Sequence, residues 1–189
     1  MHCPIHVTLR VRPGVPSLRG GGLVHEWRRS LAEASERGSF RVTHYSLQGD
    51  HAHLIVEAHG KEALGRGMMS IGARLARAVN RVARSSGPVL DGRYHHRSLR
   101  SPREVRRALA YVLLNARRHL AKSRGVSRSA TAHLDGASSA RWFDGWRREA
   151  VGGRQEASGA PEVARPRTWL LRLGWRRHGL VDPGEAPGS

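Results

Sequence analysis

The sequence predicts an α+β protein in which helices pack on a ferredoxin-like or RRM-like antiparallel sheet. Three observations carry this. Several short runs alternate apolar and polar residues, as half-buried strands do. Longer runs place apolar residues along one helical face. The two kinds of run follow the order strand, helix, strand, strand, helix, strand, helix.

Ile5-His6-Val7-Thr8-Leu9-Arg10-Val11 alternates strictly and reads as the first strand. Pro13, Gly14 and Pro16 end it, and Gly20-Gly21-Gly22 marks a loop. Leu23, Trp27, Leu31 and Ala34 share one face of an expected helix from Leu23 to about Arg37, with Gly38 as its C-terminal glycine. Phe40–Gln48 and the strongly apolar His51–Ala58 read as a hairpin joined by a tight turn at Gly49-Asp50. A long helix follows over about 61–84, its stripe formed by Leu64, Met68, Ile71, Leu75 and Val79. Ser85-Ser86-Gly87-Pro88 breaks it. Residues 89–99 form another extended stretch, with Asp91-Gly92 as a turn or bulge within it. Ser101, Pro102 and Glu104 then spell an N-cap, a first helical position and a capping box. That helix runs to about Lys122, with Val105, Leu109, Val112, Ala116 and Leu120 facing the core.

Beyond Gly125 the composition turns to Ser, Ala, Gly and Arg, which predicts a mobile extension. Two tryptophan islands interrupt it, around Trp142–Trp146 and Trp169, and are expected to dock back on the main domain. Residues 182–189 read as disordered.

Charge is the dominant global feature. Lys+Arg number 33 against 15 Asp+Glu, a formal net charge of +18, and Lys occurs only at positions 61 and 122. Guanidinium forks match phosphate in pairs and stack on bases, so the balance points to nucleic acid. Cys3 is the single cysteine, which excludes a disulfide framework and a cysteine zinc site. No apolar leader or membrane-length segment is found, so the expected location is the cytoplasm and no membrane partner is expected.

Two local patterns could carry chemistry. His51 and His53 stand at i and i+2 on the third main strand, so both project to one face and could hold one divalent ion. Solvent-exposed strand histidines are the plainer reading, since the chain holds 12 His. Tyr111 and Asn115 stand four apart on the last long helix, at the edge of its apolar stripe. Arg107 and Arg118 flank that face and Lys122 is near it. Arg93, Arg97, Arg100 and Arg103 lead into the same helix, while Arg74, Arg77, Arg81 and Arg84 line the earlier one. Of these, Arg93, Arg97, Arg103, Arg107, Arg118 and Lys122 are the candidate DNA contacts.

The order His51-Ala52-His53, then Tyr111-Val-Leu-Leu-Asn115 about sixty residues later, resembles the HUH single-tyrosine transposases. Within them it most resembles the REP-associated tyrosine transposases. Gly87-Pro88-Val89, Arg93-Tyr94-His95 and the start Ser101-Pro102-Arg103-Glu104-Val105 are similar as well. The resemblance spans residues 5 to about 122. It implies a catalytic domain over 1–124 and a basic, Gly/Ser/Ala-rich, partly disordered extension over 125–189. It also implies an activity: a DNA transposition enzyme that nicks and joins single-stranded or hairpin DNA. Tyr111 would be the nucleophile of a 5′-phosphotyrosine intermediate. His51, His53 and Asn115 would bind Mg²⁺ or Mn²⁺. A homodimer is compatible with this reading.

Alternatives stay open at this stage. Tyr94 is a rival nucleophile, whereas Tyr45 reads as packing. A non-catalytic DNA- or RNA-binding module with an RRM-like sheet would carry the same charge, although aromatics make up only 5% of the chain. His6-Val7-Thr8 and His44-Tyr45-Ser46 also fit the short pattern of phosphoesterases with two His-x-Thr/Ser motifs.

Overall fold

The computed structural model describes residues 3–124, 134–147 and 159–185, and for 116–124 the helical backbone alone. Its elements are β1 (Ile5–Arg10), α1 (Gly21–Ala32), β2 (Glu36–Arg37), β3 (Phe40–Leu47), β4 (His51–Ala58), α2 (Lys61–Ala83), β5 (His95–Ser98), α3 (Pro102–Arg124) and a short α4 (Trp169–Arg172). The strands form one antiparallel sheet in the order β2-β3-β4-β1-β5. This is the expected α+β architecture.

Alternation along the strands divides the sheet into two faces. Ile5, Val7 and Leu9 of β1, with Ala52, Leu54 and Val56 of β4, turn to one side. There they meet Trp27 and Leu31 of α1 and Met68, Ile71 and Leu75 of α2. A bulge in β3 between Val42 and His44 keeps both Phe40-Val42 and Tyr45-Leu47 on that same side. His44 and Ser46 are thereby sent to the opposite face. The bulged Thr43 satisfies its hydroxyl by donating to the Ile55 carbonyl at 2.9 Å.

The opposite face is covered by α3 and by the extension. Ile55 packs there with Leu99, Val105, Leu109, Val112 and Leu113, and with Phe143, Trp146, Leu170, Leu171 and Trp175. The α3 start is the capping box expected from sequence. The Glu104 amide donates to Ser101 Oγ at 3.2 Å, and Glu104 Oε2 accepts from the Ser101 amide at 3.2 Å and the Arg100 amide at 2.6 Å.

The first helix is shorter than its periodicity predicts. It ends at Ala32, and Glu36–Arg37 pair with Phe40–Arg41 as a small hairpin. Gly38 (φ 54°) supplies the left-handed turn of that hairpin and is not the cap of a helix. The extended stretch 89–99 is likewise reduced. Leu90 bridges Val11, a turn with Gly92 at φ 69° follows, and only His95–Ser98 pairs with β1.

The extension departs further from expectation in its described parts. Residues 137–139 run along the free edge of β3: the Leu47 amide donates to the Ala137 carbonyl at 2.9 Å, and the Ser139 amide to the Tyr45 carbonyl at 3.0 Å. The Ala164 amide donates to Val42 farther along the same edge. Together with β2 they cover an edge that would otherwise present unpaired backbone. Glu185 is tied down as well, since both its carboxylate oxygens pair with Arg106. Both tryptophan islands dock as the sequence suggests. Residues 186–189 lie outside the described ones.

Candidate active site

Register places a polar patch under α3. In one row across the sheet Ser46, His53, Thr8 and His95 are neighbours. In the next, His44, Ile55, His6 and Arg97 are, with Arg10 opposite His51 at the strand end. These residues share the face on which Tyr111 lies.

The histidine geometry is specific. His51 Nε2 lies 3.0 Å from His53 Nε2. On its far side, His51 Nδ1 meets Asp50 Oδ1 at 2.6 Å. His53 Nδ1 is approached at 3.2 Å by His6 Nε2 and at 3.2 Å by Thr8 Oγ1. Each ring is therefore held from behind, with the two Nε2 atoms turned toward one another. Burial, and secondarily the nearby Arg97 cation, lower the His6 pKa to about 4, so His6 is neutral at physiological pH.

Tyr111 completes the group. Its ring stands edge-on to His53 with centroids 5.1 Å apart, and to His6 at 5.8 Å. Asn115 lies one helical turn on, buried, with its Nδ2 lacking a hydrogen-bond partner. A buried amide without a partner is uncommon, and here it lies in a turn of α3 whose Val112, Leu113 and Leu114 are buried apolar side chains.

The two rival tyrosines are placed differently. Tyr94 packs against the core on the α1–α2 side and stacks near His96, with centroids 5.7 Å apart. Tyr45 is fully buried and donates to Glu162 at 2.9 Å, the packing role expected of it.

The pairing of two His-x-Thr/Ser motifs does not form a cleft. His6 and Thr8 contact His53, whereas His44 is covered by Phe143 (centroids 5.5 Å apart) and reached by Ser139 at 3.5 Å. Nor is there an open sheet face for base stacking among the described residues, because helices or the extension cover both sides.

Arg93, Arg97, Arg103 and Arg107 are all exposed, on the loop before β5, on β5 itself and on the first turns of α3. Arg97 adjoins His6 in register and lies 3.5 Å from Glu104. The side chains of Arg118 and Lys122 lie outside the described residues. The arginine stripe on α2 is in part an interhelical brace, with Arg74 paired to Glu33 and Arg81 to Glu26 of α1.

A divalent ion fits the imidazole pair. Two nitrogens 3.0 Å apart have the spacing of adjacent ligands on one ion, each about 2.1 Å from it. The Asp50 contact also has the form of the carboxylate–histidine pairs that stand behind metal ligands. Among the described residues no cluster of three or more His, Cys, Asp or Glu could hold an ion. A bound ion would thus be completed by amide, substrate or water oxygens. The sequence pointed to His51, His53, Tyr111 and Asn115. It did not single out Asp50, His6 or Thr8 as supports of the histidines; the signal was there in the alternation of β1, once paired against β4.

No family model and no curated protein matches the sequence. Among solved structures the chain is similar to a REP-associated tyrosine transposase bound to a REP hairpin. The TM-score is 0.51 at 14% identity, over 62% of this chain and 68% of that one. At that identity the likeness is one of fold. It agrees with the five-stranded antiparallel sheet and packed helices described above. No helix among the described residues is long and apolar enough to cross a membrane.

Proposed function

We propose that this chain is a metal-dependent single-stranded DNA nicking and joining enzyme of the single-tyrosine transposase type. The observation that carries the reading is the meeting of Tyr111 with the His51–His53 pair on one face of the sheet. The net charge of +18 supports a nucleic-acid substrate. The fold neighbour's bound hairpin supports hairpin or single-stranded DNA as its form.

The arrangement of ring nitrogens supports a cation. With His51 Nδ1–H donating to Asp50, its Nε2 carries a lone pair. In the His53 tautomer that donates from Nδ1 to Thr8 or His6, Nε2 presents a second lone pair 3.0 Å away, and one divalent ion can be shared by the two. His51 and His53 would hold Mg²⁺ or Mn²⁺, with Asn115 as an oxygen ligand. The ion, when bound, supplies charge neutralisation and orientation at the scissile phosphate.

Tyr111 performs the covalent step. Its phenolic oxygen forms a bond to phosphorus while the bond from phosphorus to the 3′ oxygen breaks. The phenol gives up its proton and the departing 3′ oxygen gains one, leaving a 5′-phosphotyrosine and a free 3′-OH. The reverse attack by another 3′-OH joins strands without a nucleotide cofactor. Arg93, Arg97, Arg103, Arg107, Arg118 and Lys122 would track the strand's phosphates. Incubation with labelled hairpin DNA and Mn²⁺ tests the reading. A covalent protein–DNA band is expected, and cleavage by a histidine-deficient variant (H51A/H53A) at the wild-type rate would contradict it.

A further inference from the structure

We infer that the turn Trp169–His178 is a second DNA-contacting surface, a stacking platform for an unpaired base of the strand that enters the Tyr111 site. This rests on the DNA reading above but not on its covalent chemistry.

Trp169 opens α4 and Leu173 directly follows it; they are 39% and 56% exposed, among the few large apolar side chains turned outward in the described residues. Exposed apolar pairs of this kind need a reason. The indole is held in place. Gly174 leaves room for it, since a Cβ there would lie 2.6 Å from Trp169 Cζ3. The Arg177 guanidinium sits over the ring, 4.9 Å from its centroid, where a planar stacking ligand would lie.

The local charge is one-sided. Residues 164–181 contain Arg165, Arg167, Arg172, Arg176 and Arg177 and no Asp or Glu. Arg167 pairs with Glu36 and Arg176 with Asp144. Arg172 and Arg177 are exposed, and neither has a carboxylate in ion-pair range among the described residues. An apolar ring bordered by guanidiniums without carboxylate partners among the described residues suits a base with flanking phosphates.

The turn is also anchored to the strand that carries the histidines. Glu57 of β4 is buried and accepts from the Arg167 and Thr168 amides, each at 2.8 Å. Glu57 shares the face of His53, four residues along the strand, a span of roughly 13 Å. The platform is thus fixed relative to Tyr111, and a strand leaving the site toward it would meet the indole. The base displaces or stacks on Arg177, which with Arg172 neutralises the adjacent phosphates.

The test uses the full chain with Tyr111→Phe as background, so that no covalent complex forms. Probes are a mixed-sequence single-stranded oligonucleotide with 2-aminopurine at successive positions, and a blunt duplex of the same sequence. Trp169→Ala is expected to weaken single-strand binding about tenfold, to spare the duplex, and to relieve 2-aminopurine quenching at one position. Trp169→Phe should restore most of the affinity. Arg177→Gln should flatten the log–log salt slope by about 0.7. Thermal unfolding checks that each variant is folded. Single-strand affinity and quenching unchanged in folded Trp169→Ala overturn the inference, as does equal loss for both probes or no binding by the parent protein. Failure of the covalent reading would appear separately, as no adduct on the Tyr111-containing protein.

Discussion

His51 Nε2 and His53 Nε2 face each other at 3.0 Å, while Asp50 holds one ring from behind and His6 and Thr8 hold the other. Two rings on the same strand are steered to one point by residues from a turn and from the neighbouring strand.

Those supports have a measurable consequence. Asp50→Ala and Thr8→Val each leave both imidazoles in place and remove part of their backing. Mn²⁺ affinity, measured by calorimetry on the DNA-free protein, should fall about tenfold or more in Asp50→Ala and less in Thr8→Val, where His6 remains. Unchanged affinity in both would mean that the contacts do not orient ligands.

Glu57 is a buried carboxylate that serves three donors: Arg41 Nη1 at 3.2 Å and the amides of Arg167 and Thr168. Glu57→Ala removes the buried carboxylate beside Arg41, leaving Glu36 at 3.3 Å as its partner, and frees two amides. Urea denaturation should show a loss of about 2–4 kcal/mol. A loss below about 1 kcal/mol would mean that the extension is not secured there.

His44 gives a pH dependence with a definite sign. Burial alone lowers its pKa from 6.5 to about 4, so the folded state binds fewer protons than the unfolded one in that interval. Its contribution is fully present above about pH 6.5 and is lost as pH falls toward 4, with a slope of up to about 1.4 kcal/mol per pH unit. His44→Gln should flatten the stability profile in that window, read from denaturation midpoints at a series of pH values.

Gly67 lies where α2 crosses the start of β3. A Cβ there would stand 2.2 Å from Phe40 Cγ, against a rigid ring. Gly67→Ala should therefore destabilise by about 1–3 kcal/mol despite alanine's better helix propensity. A rise in melting temperature would contradict this packing.

The regular parts of the fold were legible because period and burial agree. The stripe of Leu64, Met68, Ile71, Leu75 and Val79 is buried as α2 requires, and Ser101 and Glu104 form the cap their spacing implies. Long-range pairing was not legible. Gly38 serves equally well to end a helix or to turn a hairpin, and only the partner strand decides between them. The bulge at Thr43 leaves no pattern in the sequence, yet it sends His44 and Ser46 to the α3 face. The extension reads as low-complexity because its contacts are scattered. Ser139 and Glu162 anchor it through hydrogen bonds to Tyr45, and Trp175 by packing in the core beside α3. In the site, spacing identified His51, His53, Tyr111 and Asn115 as candidates. The residues behind the histidines depended on strand register, which local sequence does not encode.

We propose Tyr111 as the nucleophile of a metal-dependent DNA-cleaving site. The most direct measurement incubates 5′- and 3′-labelled hairpin DNA with Mn²⁺ and compares wild type, Tyr111→Phe and Tyr94→Phe. The expected result is a covalent complex on the 5′ side of the nick, a free 3′-OH on the other fragment, loss of both in Tyr111→Phe and retention in Tyr94→Phe. Cleavage that persists in Tyr111→Phe, or a complex lost only in Tyr94→Phe, would contradict it.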